Sequence, residues 1–167
     1  MRYLIITFLL FMVSTSAQEL TSSGVAPVAT EVDFNKAEIY EKLKAFAEDY
    51  LVNENIKITK LDDGNSITLH GAENHKACYI NPKIASKNCF KLNYDLVVTA
   101  QDQRFVFEVK NLKAINEDLH PGMSYMHWFD ADGYVVPIFK SCVEGTSGYF
   151  QAMNGDFKEY IEEGDYW

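Results

Sequence analysis

The chain has 167 residues, 47% hydrophobic and 14% aromatic, with a formal net charge of −9. That composition is globular and excludes disorder along the whole length. Acidity of this size repels phosphate backbones and anionic lipid surfaces, so no nucleic-acid partner is expected.

The N-terminus carries Arg2, an apolar run over residues 3–13, and then Thr15-Ser16-Ala17. This is the pattern of a secretory signal peptide cut after Ala17. The run is well short of the roughly 20 residues that span a bilayer. Loss of residues 1–17, whose one charge is Arg2, takes the chain from 167 to 150 residues and from −9 to −10. What remains is long enough for one domain with a sizeable core. The expected organisation is a signal peptide over 1–17, a flexible leader over 18–27 and a single α+β domain over 28–167. The exported product would be soluble and periplasmic or extracellular, with no membrane span after cleavage.

Residues 28–34 read as a first edge strand. Asn35 then supplies a helix N-cap, and Glu38 three residues on completes a capping-box signature. Ile39, Leu43, Phe46, Ala47, Tyr50 and Leu51 recur at helical spacing and form one apolar stripe. Asn53 and Asn55 end the helix. Two short strands over 56–61 and 66–71 flank the Asp62-Asp63-Gly64-Asn65 turn. Residues 74–88 show no clear period, and Asn81-Pro82 indicates a turn within them.

The strongest pattern lies over 91–112, where two alternating strands meet at Asp102-Gln103. That turn places Ala100 opposite Phe105, Val98 opposite Phe107 and Leu96 opposite Val109. The other face then pairs Gln101 with Arg104, Thr99 with Val106, Val97 with Glu108 and Asp95 with Lys110. A one-residue slip would destroy the agreement of the two apolar sets. The second face, with Val97 and Val106 among paired charges, is too apolar to be plainly solvated and is a candidate binding surface.

Beyond it, 113–122 reads as a polar connection. Residues 123–129 and 134–139 flank Asp130-Ala131-Asp132-Gly133 as a third hairpin, whose second strand Pro137 would confine to an edge. Gly145-Thr146-Ser147-Gly148 reads as a break. Tyr149, Phe150, Met153, Phe157, Tyr160 and Ile161 then recur at helical spacing in a C-terminal helix. Two helices covering one face of an antiparallel sheet make an α+β layer arrangement.

The run Asn35-Lys36-Ala37-Glu38-Ile39-Tyr40-Glu41-Lys42-Leu43, the Asp62-Asp63-Gly64 turn with Ile67 and Gly71 after it, and the Tyr94 to Phe105 hairpin resemble one family. It is a domain-of-unknown-function family of exported bacterial proteins with a fold like the TATA-box-binding protein. The resemblance spans residues 28–112 and weakens after them, and Phe46 stands where a tryptophan is expected. It implies a curved antiparallel sheet under helices and carries over no functional residue.

Three cysteines in an exported chain allow one disulfide with three choices of pair. Cys78 and Cys89 bracket the irregular segment and are the favoured pair; three reduced buried thiols are the alternative. Cys142 would then be a buried apolar residue. His70, His75, His120 and His127 show no metal-site spacing, and no cofactor is expected. Neither Asp130 nor Asp132 sits in a calcium loop, because the glycine and glutamate such a loop needs are missing. Tyr125, Trp128 and Tyr134, near an Asp-Gly turn, suit contacts with a glycan or protein, or else close the core. The composite expectation is a non-enzymatic binding or interaction module of the bacterial envelope, recognising an envelope protein or glycan. The alternative is a hydrolase of envelope or dietary polymers using Asp130 and Asp132 or a Cys–His pair.

Overall fold

The computed structural model describes residues 18–49, 51, 56–83, 85–116 and 123–164. The expected signal peptide, Tyr50, Asn53, Asn55 and His120 lie outside them. The elements are β1 (Leu20–Thr21), β2 (Gly24–Val25), β3 (Val28–Glu31), α1 (Lys36–Asp49), β4 (Ile56–Asp62), β5 (Ser66–Asn81), β6 (Ser86–Gln101), β7 (Arg104–Ile115) and α2 (Lys140–Glu163). Strands β3 to β7 form one antiparallel sheet in the order β3-β7-β6-β5-β4, with both helices on one face.

The hairpin β6–β7 has the register its alternation dictates. All seven expected pairs, from Gln101–Arg104 to Asp95–Lys110, are present. Gln103 takes the left-handed φ of 61° that the tight turn needs. Phe90, Leu92, Leu96, Val98, Phe105 and Phe107 are fully buried beneath the helices. Helix α1 begins with the expected reciprocal cap. The Asn35 side chain accepts from the Glu38 N–H, and the Asn35 N–H donates to the Glu38 carboxylate, each at 3.1 Å. Ile39, Leu43, Phe46 and Ala47 are buried, and Phe46 packs edge-on against Phe157 of α2 at 4.7 Å between ring centroids.

Four regions depart from the sequence reading. Residues 74–88 are not irregular. β5 runs on to Asn81 and β6 starts at Ser86, extending this hairpin into an arm bridged by the Cys78–Cys89 disulfide. The period is hidden by a bulge between Glu73 and Ala77, which shifts the inward-facing set by residues that have no partner. Closing a loop of this length stabilises by about 3 kcal/mol. Cys142 is free and fully buried.

The C-terminal helix starts nine residues earlier than its apolar stripe, at Lys140, and passes through Gly145 and Gly148. Gly145 marks contact rather than a break: a Cβ there would overlap the Lys76 carbonyl oxygen, so its absence lets α2 lie on the β5 bulge. Gly71 serves the neighbouring strand similarly, since a Cβ would collide with the Tyr94 ring. The third hairpin reduces to one bridge, Phe129–Val135, between 3-10 turns over Tyr125–Trp128 and Pro137–Phe139. Residues 18–27, expected as a flexible leader, form β1 and β2 instead. Leu20 and Val25 are buried, and the Leu20 N–H donates to Ser147 Oγ of α2 at 2.9 Å.

Candidate functional site

Alternation along each strand sends every second side chain away from the helices. The register places these residues in rows across the sheet. One row runs Ala29, Val106, Thr99, Ser66, and the next runs Glu108, Val97, Thr68, Lys60. A third holds Lys110, Asp95, His70 and Lys57. Val97, Val106, Thr99 and Thr68 are only half-buried, in contrast to the closed core on the opposite face. The surface is therefore an apolar centre of valines and threonine methyls between charged flanks. Sequence alternation had already singled out Val97 and Val106 for this position.

The charged flank is organised around Asp95. Its carboxylate accepts from Asn111 Nδ2 at 2.7 Å and lies 2.8 Å from His70 Nδ1. The Asn111 hydrogen bond and then the His70 hydrogen bond hold the Asp95 carboxyl below its ordinary value against the opposing effect of burial, with smaller contributions from the His70 and Lys113 charges. Asn111 adopts a left-handed φ of 51° at the β6–β7 irregularity, which brings its amide to Asp95. Lys110 pairs with Glu108 at 3.0 Å.

A cleft of about 750 Å³ opens at the arm end of the sheet between the β5 bulge, β6 and the end of β7. Asn74, His75, Asn88, Cys89, Asn93 and Asn116 are among its walls. Here His75, Cys78 and Cys89 each present a donor atom, all within 4.8 Å of one another. Sequence spacing gave no sign of this cluster, because Cys89 reaches His75 and Cys78 only through the cross-strand pair Cys78–Cys89.

The aromatic candidates separate. Trp128 is fully buried, 5.2 Å from the Phe90 ring and stacked on Phe139, so it belongs to the core and not to a surface. Tyr125 is partly buried against the core. Tyr134 is 71% exposed. The hydrolase candidates have structural positions: Asp130 Oδ1 accepts from the Asp132 and Tyr134 N–H groups and so shapes its turn. Cys78 and Cys89 are bonded to each other, and burial pushes the Cys142 thiol up to about 12, far from a reactive thiolate.

No helix among the described residues is long and apolar enough to cross a membrane. No curated protein sequence matches the chain. The chain is similar in structure to a DUF4468 family protein from Bacteroides ovatus ATCC 8483, solved at 1.49 Å, with a TM-score of 0.66 and 15% identity over 86% of this chain and 89% of that one. It is also similar to a TBP-like protein from Parabacteroides distasonis ATCC 8503, solved at 1.90 Å, with a TM-score of 0.55 and 13% identity over 81% and 90% of the two chains. At these identities the likeness is one of fold. Residues 32–114, from the entry to α1 to the end of β7, match the family model described as "Domain of unknown function (DUF4468) with TBP-like fold", and through them the chain belongs to that family.

Proposed function

We infer that this chain is an exported, non-enzymatic binding module of the bacterial envelope, and that its ligand surface is the sheet face centred on Val97 and Val106. The observation that carries this reading is the half-exposed apolar centre on the face turned away from both helices. The solvated face of an antiparallel sheet normally alternates to polar residues, and two half-buried valines in adjacent rows at its centre depart from that pattern. The signal-peptide pattern over 1–17 and the Cys78–Cys89 disulfide support export.

The ligand is an envelope protein or glycan. Nucleic acid is opposed by the chain's net charge of −9, and on this face Asp95 and Glu108 offset Lys57, Lys60 and Lys110, so it presents no basic patch. Fold likeness to a DNA-binding protein does not transfer its activity.

Val97→Asp and Val106→Asp test the reading. Wild-type and variant proteins are immobilised and exposed to detergent-solubilised envelope and to a glycan array. The expected result is a protein or glycan retained by wild type and lost from both variants, while their thermal unfolding stays within a few degrees of wild type. Identical retention by all three proteins would sink the assignment of this face.

A further inference from the structure

The donor cluster on the β5–β6 arm is independent of the sheet face. We propose that the arm is a redox-gated metal site. With Cys78–Cys89 reduced, the two thiolates and the His75 imidazole bind a zinc-type ion; with the disulfide closed, they do not.

The geometry supports three simultaneous ligands. The three donor atoms already lie within 4.8 Å of one another. Around tetrahedral zinc, donors at about 2.0–2.3 Å from the metal stand roughly 3.5–4 Å apart. Once the S–S bond is opened, rotation of the two side chains parts the sulfurs toward that spacing, the cysteines being directly opposed on antiparallel strands. His75 sits in the bulge between Glu73 and Ala77 with a left-handed φ of 69°. Histidine reaches that region more readily than most residues with a Cβ, and here it sets the imidazole beside the two sulfurs. His75 is exposed and both cysteines are half-buried, and His75 and Cys89 line the 750 Å³ cleft, so an ion has an entry path.

Both cysteine backbones are also pinned by contacts that reduction leaves intact. Ser141 Oγ of α2 donates to the Cys78 carbonyl at 2.7 Å, and Asn116 Nδ2 donates to the Cys89 carbonyl at 2.8 Å. Tyr79 and Phe90, the next residues along each strand, are buried against Phe139. Cys78 Sγ lies 3.3 Å from the His75 carbonyl oxygen. Neither a disulfide sulfur nor a thiolate has a proton to donate, so this contact is a hydrogen bond only in the reduced, metal-free thiol, and metal binding displaces it.

The chemistry balances with an external dithiol as reductant. Its two thiols become a disulfide as the Cys78–Cys89 bond accepts two electrons and two protons. Metal binding then displaces those two protons, because the ligands are thiolates and the histidine binds through a neutral nitrogen. Two thiolates and one imidazole suit zinc or copper(I) over calcium or magnesium, and the fourth position is left to water or a ligand from the cleft.

The test uses the purified full-length protein, reduced with dithiothreitol and desalted without oxygen, then titrated with cobalt(II) as the spectroscopic probe. Reduced wild type should bind one cobalt per chain with a near-ultraviolet thiolate charge-transfer band that zinc abolishes. Oxidised protein should show no such band. His75→Ala should weaken cobalt binding by roughly tenfold or more, and zinc should shield Cys78 and Cys89 from alkylation in wild type but much less in H75A. Equal binding by H75A, equal binding by the oxidised protein, or loss of the native circular dichroism spectrum on reduction would each overturn the proposal.

Discussion

Gly145→Ala separates two explanations of a glycine-rich helix. On propensity alone, alanine in place of glycine within a helix stabilises by about 1 kcal/mol. At Gly145 the added methyl would overlap the Lys76 carbonyl oxygen, and the carbonyl carbon lies only 3.2 Å away. Both belong to the β5 backbone, which cannot rotate aside as a side chain can. Restoring a carbon–oxygen contact requires α2 to lift by on the order of 1 Å, and a gap of that size forfeits a quarter to a half of each dispersion contact it opens. Cys142, Val143, Thr146 and Phe150 on the same stretch of α2 are all buried and would loosen together. Overpacking of this kind costs roughly 1–3 kcal/mol; set against the ~1 kcal/mol of propensity gained, the net loss is up to about 2 kcal/mol, or up to roughly 4–8 °C in midpoint for a domain of this size. Gly148 and Gly155 provide the internal control, since a Cβ at either meets nothing within 4 Å. Their alanine variants should gain up to about 1 kcal/mol each. Urea unfolding of the three variants beside wild type gives the comparison. If G145A is as stable as G148A, the close approach of α2 to β5 is not what keeps residue 145 a glycine.

The aromatic segment makes a similar contrast. Trp128→Ala should lose roughly 3–5 kcal/mol, and Tyr134→Ala should change stability by under about 0.5 kcal/mol; comparable losses in thermal or urea unfolding would contradict their placement in core and solvent. Asp95 gives a pH-dependent signal. Its folded carboxyl is held below the ordinary value of 3.8, so its contribution is present above the unfolded value and is lost as pH falls through the lower folded one. Asp95→Asn should therefore be less stable than wild type at pH 7, by about 1 kcal/mol or less for a pair this exposed. The deficit should close progressively below pH 3.8, and a deficit that persists unchanged in urea titrations at low pH would refute the Asn111–Asp95–His70 assignment.

What the sequence made legible follows from how local each signal is. The β6–β7 register was readable because both strands alternate and the turn has two residues, so Leu96, Val98, Ala100, Phe105, Phe107 and Val109 all fall on one face. The α1 cap was readable because Asn35 and Glu38 interact within a single turn of chain. The arm was not, because the bulge between Glu73 and Ala77 inserts residues that break the two-residue period just where β5 continues. The start of α2 was hidden for a different reason. Glycine at 145 and 148 is a penalty by propensity, and only the passage of the β5 carbonyl against the helix explains its presence at 145. Trp128 was ambiguous because an aromatic beside an Asp-Gly turn has the same sequence context in a core as on a binding surface. The two candidate sites divide along the same line. The Val97 and Val106 face is a consequence of strand alternation and could be read from one hairpin. The His75, Cys78 and Cys89 cluster depends on a bulge turning a histidine back toward a cross-strand pair, a tertiary arrangement with no sequence period. Its chemistry is nonetheless the more specific of the two, because three donors of defined type constrain an ion far more tightly than an apolar patch constrains a partner.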